Sequence, residues 1–309
     1  MVARVKDLLA HSLATSTAKV YRRAWVLLIM CFQTLNVIFH GISDLPLSVH
    51  KVMLFVGFLH VKKLSSSTMT SYVSAIGYFH RIKGFKDPTT QPVVQKMLAA
   101  ANKLNPRQDP RLPITLIILK RLVEALPSTV SNPYHRSLFR AMYVVAFFGL
   151  MRVGEITKSP TGIVALTLKQ LSMTATQAIL TISHFKHNVS LKPLDIVLPK
   201  QNDSNICPVH LLHEYLLVRG NRPGPLFCFV DGASIPRDFF IKYLKSSLNF
   251  CGLDTRRYQS HSFRIGGASL YAELGLSDSQ LRLLGRWNSN AFLKYIRLAR
   301  IQLALQSIM

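Results

Sequence analysis

Residues 258–269 read YQSHSFRIGGAS and residues 285–297 read GRWNSNAFLKYIR. In the first stretch His261 and Arg264 stand three apart, a spacing that puts two side chains on one face of a helix. The following Ile265-Gly266-Gly267 lacks the Gly-x-x-x-x-Gly-Lys order of a phosphate-cradling loop and reads as close helix packing. Taken alone, His261 is an ordinary surface or capping histidine. The second stretch holds Trp287 and, eight residues on, Tyr295. A tyrosine hydroxyl, with a pKa of about 10, attacks phosphorus only beside cations or with a base to take its proton. Helical period does not mark Tyr295 over Tyr271.

Working upstream, residues 149–155 read GLMRVGE. Arg152 follows an almost wholly apolar run, Tyr143 to Met151, so it stands at the end of a buried element. A guanidinium there needs a fixed partner, and Glu155 at i+3 can hold it. Arg152 and Arg264 together would make a bidentate clamp for a tetrahedral or pentavalent phosphorus. Lys186, between two candidate strands, is a candidate general acid for a departing alkoxide, with Lys192 as the alternative. A Trp or His beside the tyrosine can pack it and donate to a phosphate oxygen.

Composition points the same way. The chain has 309 residues with 38 Lys+Arg against 14 Asp+Glu, a net charge of +24. With 49% hydrophobic and only 17% charged residues it is a folded protein with a lopsidedly positive surface. Its expected partner is a polyanion, nucleic acid before an anionic membrane surface. The longest apolar run, Ala141 to Met151, is too short to span a bilayer. The N-terminal residues MVARVKDLLAHS have no apolar core of a secretory signal. Four scattered cysteines, Cys31, Cys207, Cys228 and Cys251, form no disulfide framework and fit a reducing compartment.

The stretch Asn105 to Pro113, NPRQDPRLP, has three prolines and cannot be helical. It divides a first domain at 1–105, a linker at 106–113 and a second domain at 114–309. Residues 1–105 carry 13 basic and 3 acidic side chains, +10, and residues 106–309 carry 25 and 11, +14. Two basic domains on a linker suit a clamp around a duplex. The first reads as helices only: one capped at Ser16 or Thr17, then Pro46–Leu64, Thr68–Phe85 behind the Ser65-Ser66-Ser67 cluster, and Gln91–Leu104. Arg22, Arg23, Lys62, Lys63, Arg81 and Lys83 on these helices are candidate phosphate contacts, the alternative being a solvated face. The second is mixed. Helices are expected at 115–126, 133–150, 208–218, 238–250, 260–271, 278–285 and 290–308. Strands are expected at 163–166, 178–183 and 194–198. The fold class is therefore mainly α with a small β-sheet.

With these pieces in order, the sequence resembles the tyrosine recombinase, or phage-integrase, family over nearly its whole length. It looks most similar to the eukaryotic Crypton and DIRS-like mobile-element recombinases. The phrases that carry the resemblance are RLPIT at 111–115, FFGLMRVGEIT at 147–157 and CPVHLLHEYL at 207–216, then GPLFCF at 224–229 and the two quoted at the outset. Arg152 matches the first catalytic arginine, Glu155 its acidic companion and Lys186 the β-hairpin lysine. His261 and Arg264 match the His-x-x-Arg pair, Trp287 the His-or-Trp position and Tyr295 the nucleophile. The resemblance implies a helical SAM-like core-binding domain before a mixed α+β catalytic domain, closing on double-stranded DNA. It implies that Tyr295 attacks a backbone phosphate, leaves a 3′-phosphotyrosyl link and frees a 5′-hydroxyl, which is the chemistry of DNA recombination and integration. It implies no metal and no cofactor, because arginines supply the charge. It also implies a tetramer on DNA and a nuclear location.

Several readings stay open at this level. The segment Ser183-His-Phe-Lys186-His-Asn188 departs from the family's usual Ser-Lys-Thr-like turn. Arg286 is a candidate DNA contact, and both it and Arg297 either touch phosphates or flank the site. Leu303, Leu305 and Ile308 either dock on a neighbouring subunit or pack on their own domain. Cys207, His210 and His213 along one helix do not point to a single ion, so no metal site is expected. Alternatives to an active recombinase are a domesticated copy acting as a DNA-binding or chromatin protein, and a type IB-like topoisomerase.

Overall fold

The computed structural model describes residues 4, 12–106, 109–158, 165–183, 185, 188 and 192–297. The chain divides into two compact units, Met1–Asp109 and Pro110–Met309. It is mainly helical with one small three-stranded antiparallel sheet, as the sequence predicts. Among the described residues no helix is long and apolar enough to cross a membrane.

The first unit packs α1 (Thr15–Thr34), α2 (Val49–Val61), α3 (Ser66–Ile82) and α4 (Pro92–Leu104) around one core. Trp25, Leu28 and Phe32 form the inward stripe of α1, at the i, i+3, i+7 spacing of a helix face. They meet Phe55 and Leu59 of α2, Tyr72 and Ile76 of α3, and Leu98 of α4. Helix starts follow the side chains that cap them. Ser48 Oγ accepts from Lys51 N, so α2 starts after Pro46, and Ser65 Oγ accepts from Thr68 N, so α3 starts before the expected Thr68. The expected cap at Ser16 or Thr17 is not used: α1 begins at Thr15, and Ala14 before it offers no capping side chain. Buried His80 receives a hydrogen bond from Leu47 N at Nε2 (2.9 Å), and its Nδ1 lies 2.8 Å from Ile76 O. One neutral tautomer satisfies both contacts, with Nδ1–H donating to the carbonyl.

The second unit is organised by α7 (Pro133–Phe148), whose residues 141–148 are all buried. Before it stand α5 (Leu116–Glu124), capped by Thr115, and the short α6 (Leu126–Thr129). After it come α8 (Val153–Ile156) and the sheet of β1 (Leu171–Met173), β2 (Gln177–Ile182) and β3 (Leu194–Pro199), with β2 central. Leu180 pairs with Ile196 and Ala178 with Leu198, so one face of the hairpin is apolar and buried. Then follow α9 (Pro208–Arg219), α10 (Arg237–Phe250), α11 (Ser260–Glu273), α12 (Asp278–Gly285) and a 3₁₀ turn (Asn290–Lys294).

Two expectations are corrected. Residues 165 and 166 of the expected first strand are not in a strand. Leu166 N donates to Glu155 O and Leu166 O accepts from Leu226 N, which commits its backbone outside the sheet; residues 163 and 164 lie outside the described residues. Of the expected helix at 290–308, the described residues form a 3₁₀ turn, Asn290–Lys294, capped at Tyr295, and residues 298–308 lie outside the described residues. Ser269 Oγ donates to Ile265 O (2.9 Å) and accepts from Arg297 N (2.8 Å), so a side chain takes a backbone N–H that a helix through Arg297 would pair internally. Leu303, Leu305 and Ile308 lie outside the described residues.

Candidate active site

The site grows from the end of α7. The helix stops at Gly149, Leu150 adopts a left-handed conformation (φ 46°), and Arg152 stands at the N-cap of α8. A non-glycine residue in that conformation is held only where its surroundings over-determine it. Here the Leu150 carbonyl accepts from Arg264 Nη1 and from Arg286 Nη2 (2.9 Å). Glu155, one turn on, accepts from Arg152 N (2.8 Å) and lies 2.9 Å from Arg152 Nη1 through Oε1. Its Oε2 is 2.8 Å from Arg286 Nη2. Burial alone would raise the Glu155 pKa, but Arg286 and Arg152 outweigh it and hold the carboxylate ionised.

Arg264, on α11, is wholly buried and donates to the carbonyls of Leu150 and Gly285. Its guanidinium lies 4.1 Å from the Trp287 ring centroid and 5.5 Å from that of Tyr295, within cation–π range. Trp287 in turn lies 5.1 Å from Tyr295, and His261 lies 6.0 Å from it. Tyr295 therefore rests on Trp287 from its own phrase and on His261 and Arg264 from α11. Gly285 makes room for this: a Cβ there would fall 1.7 Å from the Trp287 ring.

Arg152, His261, Arg286, Trp287 and Tyr295 line a cavity of about 340 Å³, together with Asn288, Ser289 and Ala291. The last three were not singled out by sequence, although all fall within the phrase at 285–297. Burial, then the charges of Arg111, Arg264, Arg152 and Arg237, lower the His261 pKa to about 4, so its imidazole is neutral at pH 7. Three guanidiniums (Arg152, Arg264, Arg286) against one carboxylate (Glu155) leave 3 − 1 = +2 around the cavity. Burial and mutual repulsion press down the affinity of Arg264 and Arg286 for their protons. Such a cluster is completed by an anion, and a phosphodiester fits its size and charge.

Other sequence candidates fall elsewhere. Lys186 lies outside the described residues, while Lys192 is described and exposed. Arg286 is corrected as a surface DNA contact: its side chain has no solvent exposure and is held by Glu155 and by the carbonyls of Gly149, Leu150 and Leu284. It flanks and supports the site. Tyr271 is separated from Tyr295 by its bonding. Its hydroxyl donates to Phe148 O (2.8 Å), and burial pushes its pKa up to about 12. Arg22, Arg23, Lys62, Lys63, Arg81 and Lys83 are exposed in the first unit, outside this cavity. Of these, Arg81 pairs with Asp87, and Lys62 Nζ lies 5.4 Å from the Phe58 ring centroid. The helix bearing Cys207 and His210 uses them structurally, with Gln201 N donating to Cys207 Sγ and His210 facing Glu214 at 3.2 Å.

No protein-family model matches the chain, and no curated protein matches it in sequence. Solved structures do match. The XerH site-specific recombinase, in a post-cleavage complex with palindromic difH substrate, is 17% identical, with 85% of this chain and 70% of that one covered and a TM-score of 0.62. A lambda integrase dimer bound to a COC′ core site is 14% identical, with 96% and 75% covered and a TM-score of 0.61. The Tn1549 transposon integrase, in complex with circular intermediate DNA, is 12% identical, with 85% of each chain covered and a TM-score of 0.57. The fold of this chain is that of the tyrosine recombinases and integrases.

Proposed function

We propose that the protein is a tyrosine recombinase, which breaks and rejoins duplex DNA by transesterification. The observation that carries this reading is the seating of Tyr295 on Trp287, His261 and Arg264 at the rim of a cavity with a surplus of two positive charges. Tyr295 Oη attacks the phosphorus of a backbone phosphodiester, and the P–O5′ bond breaks. The phenolic proton leaves to a base, for which neutral His261 offers a lone pair. The departing 5′ oxygen gains a proton from a general acid, the role assigned to Lys186. Attack by a 5′-hydroxyl of another strand reverses the step, so the energy of the phosphoester bond is kept. Arg152 and Arg264 oppose the charge that develops on phosphorus, with Glu155 and Arg286 fixing them in place. The neighbouring folds belong to recombinases and integrases crystallised on their DNA, which supports double-stranded DNA as the partner. A homotetramer on two DNA sites, a role in integrating a mobile element of the Crypton or DIRS-like kind, and a nuclear location complete the proposal.

The test is covalent trapping in EDTA on a library of nicked duplexes from which the freed strand diffuses away. Wild type should give a slow-migrating protein–DNA adduct on a denaturing gel, and Tyr295→Phe should give none while still binding DNA. An adduct from Tyr295→Phe would remove the tyrosine from its role. Relaxation of a supercoiled plasmid by a monomer, without strand exchange, would favour a type IB-like topoisomerase.

A further inference from the structure

We infer that Asn288 is a further phosphate-binding residue of this site, its side-chain amide donating to a non-bridging oxygen of the phosphodiester that Tyr295 attacks. The inference rests on the proposed DNA chemistry and extends it to a residue outside the set read from the sequence.

Asn288 is placed by the chain on both sides of it. Behind it, α12 ends with Arg286 in a left-handed conformation (φ 56°), and Arg286 N and Trp287 N donate to Leu283 O (3.1 Å) and Arg282 O (2.9 Å). Ahead of it, Ser289 is extended, and its Oγ accepts from Ala291 N (3.3 Å) at the start of the turn that leads to Tyr295. Asn288 is thus the single residue between the closed end of a helix and the capped start of the turn. Trp287 packs into the cluster of Leu281 and Phe292, and Asn288, next to it, lines the same cavity as Arg152, His261 and Tyr295.

The donors already in use say what its amide is for. Asparagine in a tight connection commonly bonds to nearby backbone, as a cap or in a turn. Here Ser289 does the capping, and the exposed Asn288 side chain makes no hydrogen bond among the described residues. The surrounding guanidiniums are largely engaged. Arg264 gives both terminal nitrogens to the carbonyls of Leu150 and Gly285. Arg286 is held by Glu155 and by the carbonyls of Gly149, Leu150 and Leu284, and Arg152 gives Nη1 to Glu155. These cations supply charge to a bound diester, but few of their N–H groups remain to meet its non-bridging oxygens. The Asn288 amide offers two donors with no protein acceptor competing for them. Asparagine is among the side chains that bind phosphate oxygens in DNA complexes.

The first test needs no cleavage. Inorganic phosphate is titrated at constant ionic strength and neutral pH, and followed by the His261 imidazole resonance, which reports this cavity. Asn288→Ala should weaken phosphate about tenfold, with thermal unfolding as in wild type because the side chain is exposed. Equal affinity, or no response in either protein, overturns the inference whatever the outcome of cleavage. In covalent trapping, Asn288→Ala should slow adduct formation about tenfold. The isosteric Asn288→Asp loses the donors and adds a negative charge, so it should be slower still. A rate for Asn288→Asp at or above that of Asn288→Ala overturns the inference. A methylphosphonate at the attacked position, resolved into its two diastereomers, locates the contact. With one diastereomer Asn288→Ala should cost no further rate, because the oxygen it would bind is gone. The same further loss with both overturns the inference. If wild type gives no adduct while phosphate still weakens with Asn288→Ala, the recombinase reading fails and the phosphate contact stands.

Discussion

Glu155 and Arg286 form a buried ion pair, with Arg286 Nη2 2.8 Å from Glu155 Oε2 although 131 residues separate them. The pair ties α8 to the C-cap of α12, and Arg152 completes it from the cavity side. Removing one partner of a buried pair strands the other charge, at about 3–5 kcal/mol. Glu155→Ala should lose stability on that scale in urea denaturation, and Glu155→Gln less. An unfolding midpoint like wild type for Glu155→Ala would show that the pair does not hold the unit together.

The two clamp arginines should separate by experiment. The Arg152 side chain is 22% exposed at the cavity, whereas Arg264 is wholly buried and donates to two carbonyls. Arg152→Ala should abolish most adduct formation while leaving thermal unfolding close to wild type. Arg264→Ala should lose adduct formation and also destabilise the unit by about 2–4 kcal/mol, because the Gly285 carbonyl loses its arginine donor, Leu150 O loses one of two donors, and a large buried side chain is removed. Equal stability of the two variants would contradict the burial that distinguishes them.

His261 gives a pH signature. With a pKa near 4 in the fold and about 6.5 when exposed, the folded state binds fewer protons between those values. Stability should be full above pH 6.5, fall as pH drops towards 4, and level off below it, by about 3 kcal/mol at most. NMR titration of the imidazole should show the low midpoint, and inorganic phosphate in the cavity should raise it by opposing Arg111, Arg152, Arg237 and Arg264. A midpoint near 6.5 without phosphate would mean that neither burial nor the neighbouring cations act on the ring as the fold requires.

Gly285→Ala tests the packing under Trp287. The added Cβ would overlap the indole, so the ring must shift. A loss of about 1–3 kcal/mol is expected from overpacking, together with reduced adduct formation as Tyr295 loses its support. Retention of both wild-type values would show that the indole position is not needed.

Much of this was legible in sequence, for physical reasons that also mark the limit. Apolar periodicity gave the helices around Leu28, Phe55 and Ile76, and alternation gave β2 and β3. The motif phrases single out Arg152, His261, Trp287 and Tyr295, which line one cavity, and Glu155, which holds Arg152 there. What stayed hidden depends on bonds between distant segments. Nothing local shows that Leu166 gives its backbone to Glu155 and Leu226, or that Ser269 ends the turn at Tyr295. Buried arginines are equally silent. Arg219 is 4% exposed and donates to the carbonyls of Gly220, Arg222, Pro225 and Leu226. A guanidinium that finds only carbonyls leaves no acidic partner in the sequence to betray it.

The chain's two tryptophans are divided one to a unit, Trp25 in the core of the first and Trp287 against Tyr295 in the second. The protein thus carries its own optical reporters. With Trp25 replaced by Phe, the remaining emission comes from an indole whose ring centroid lies 4.1 Å from the Arg264 guanidinium and 5.1 Å from the Tyr295 ring. Any departure of Tyr295 from that stack changes the surroundings of the only remaining indole, so movement of the candidate nucleophile can be followed by its fluorescence without a label.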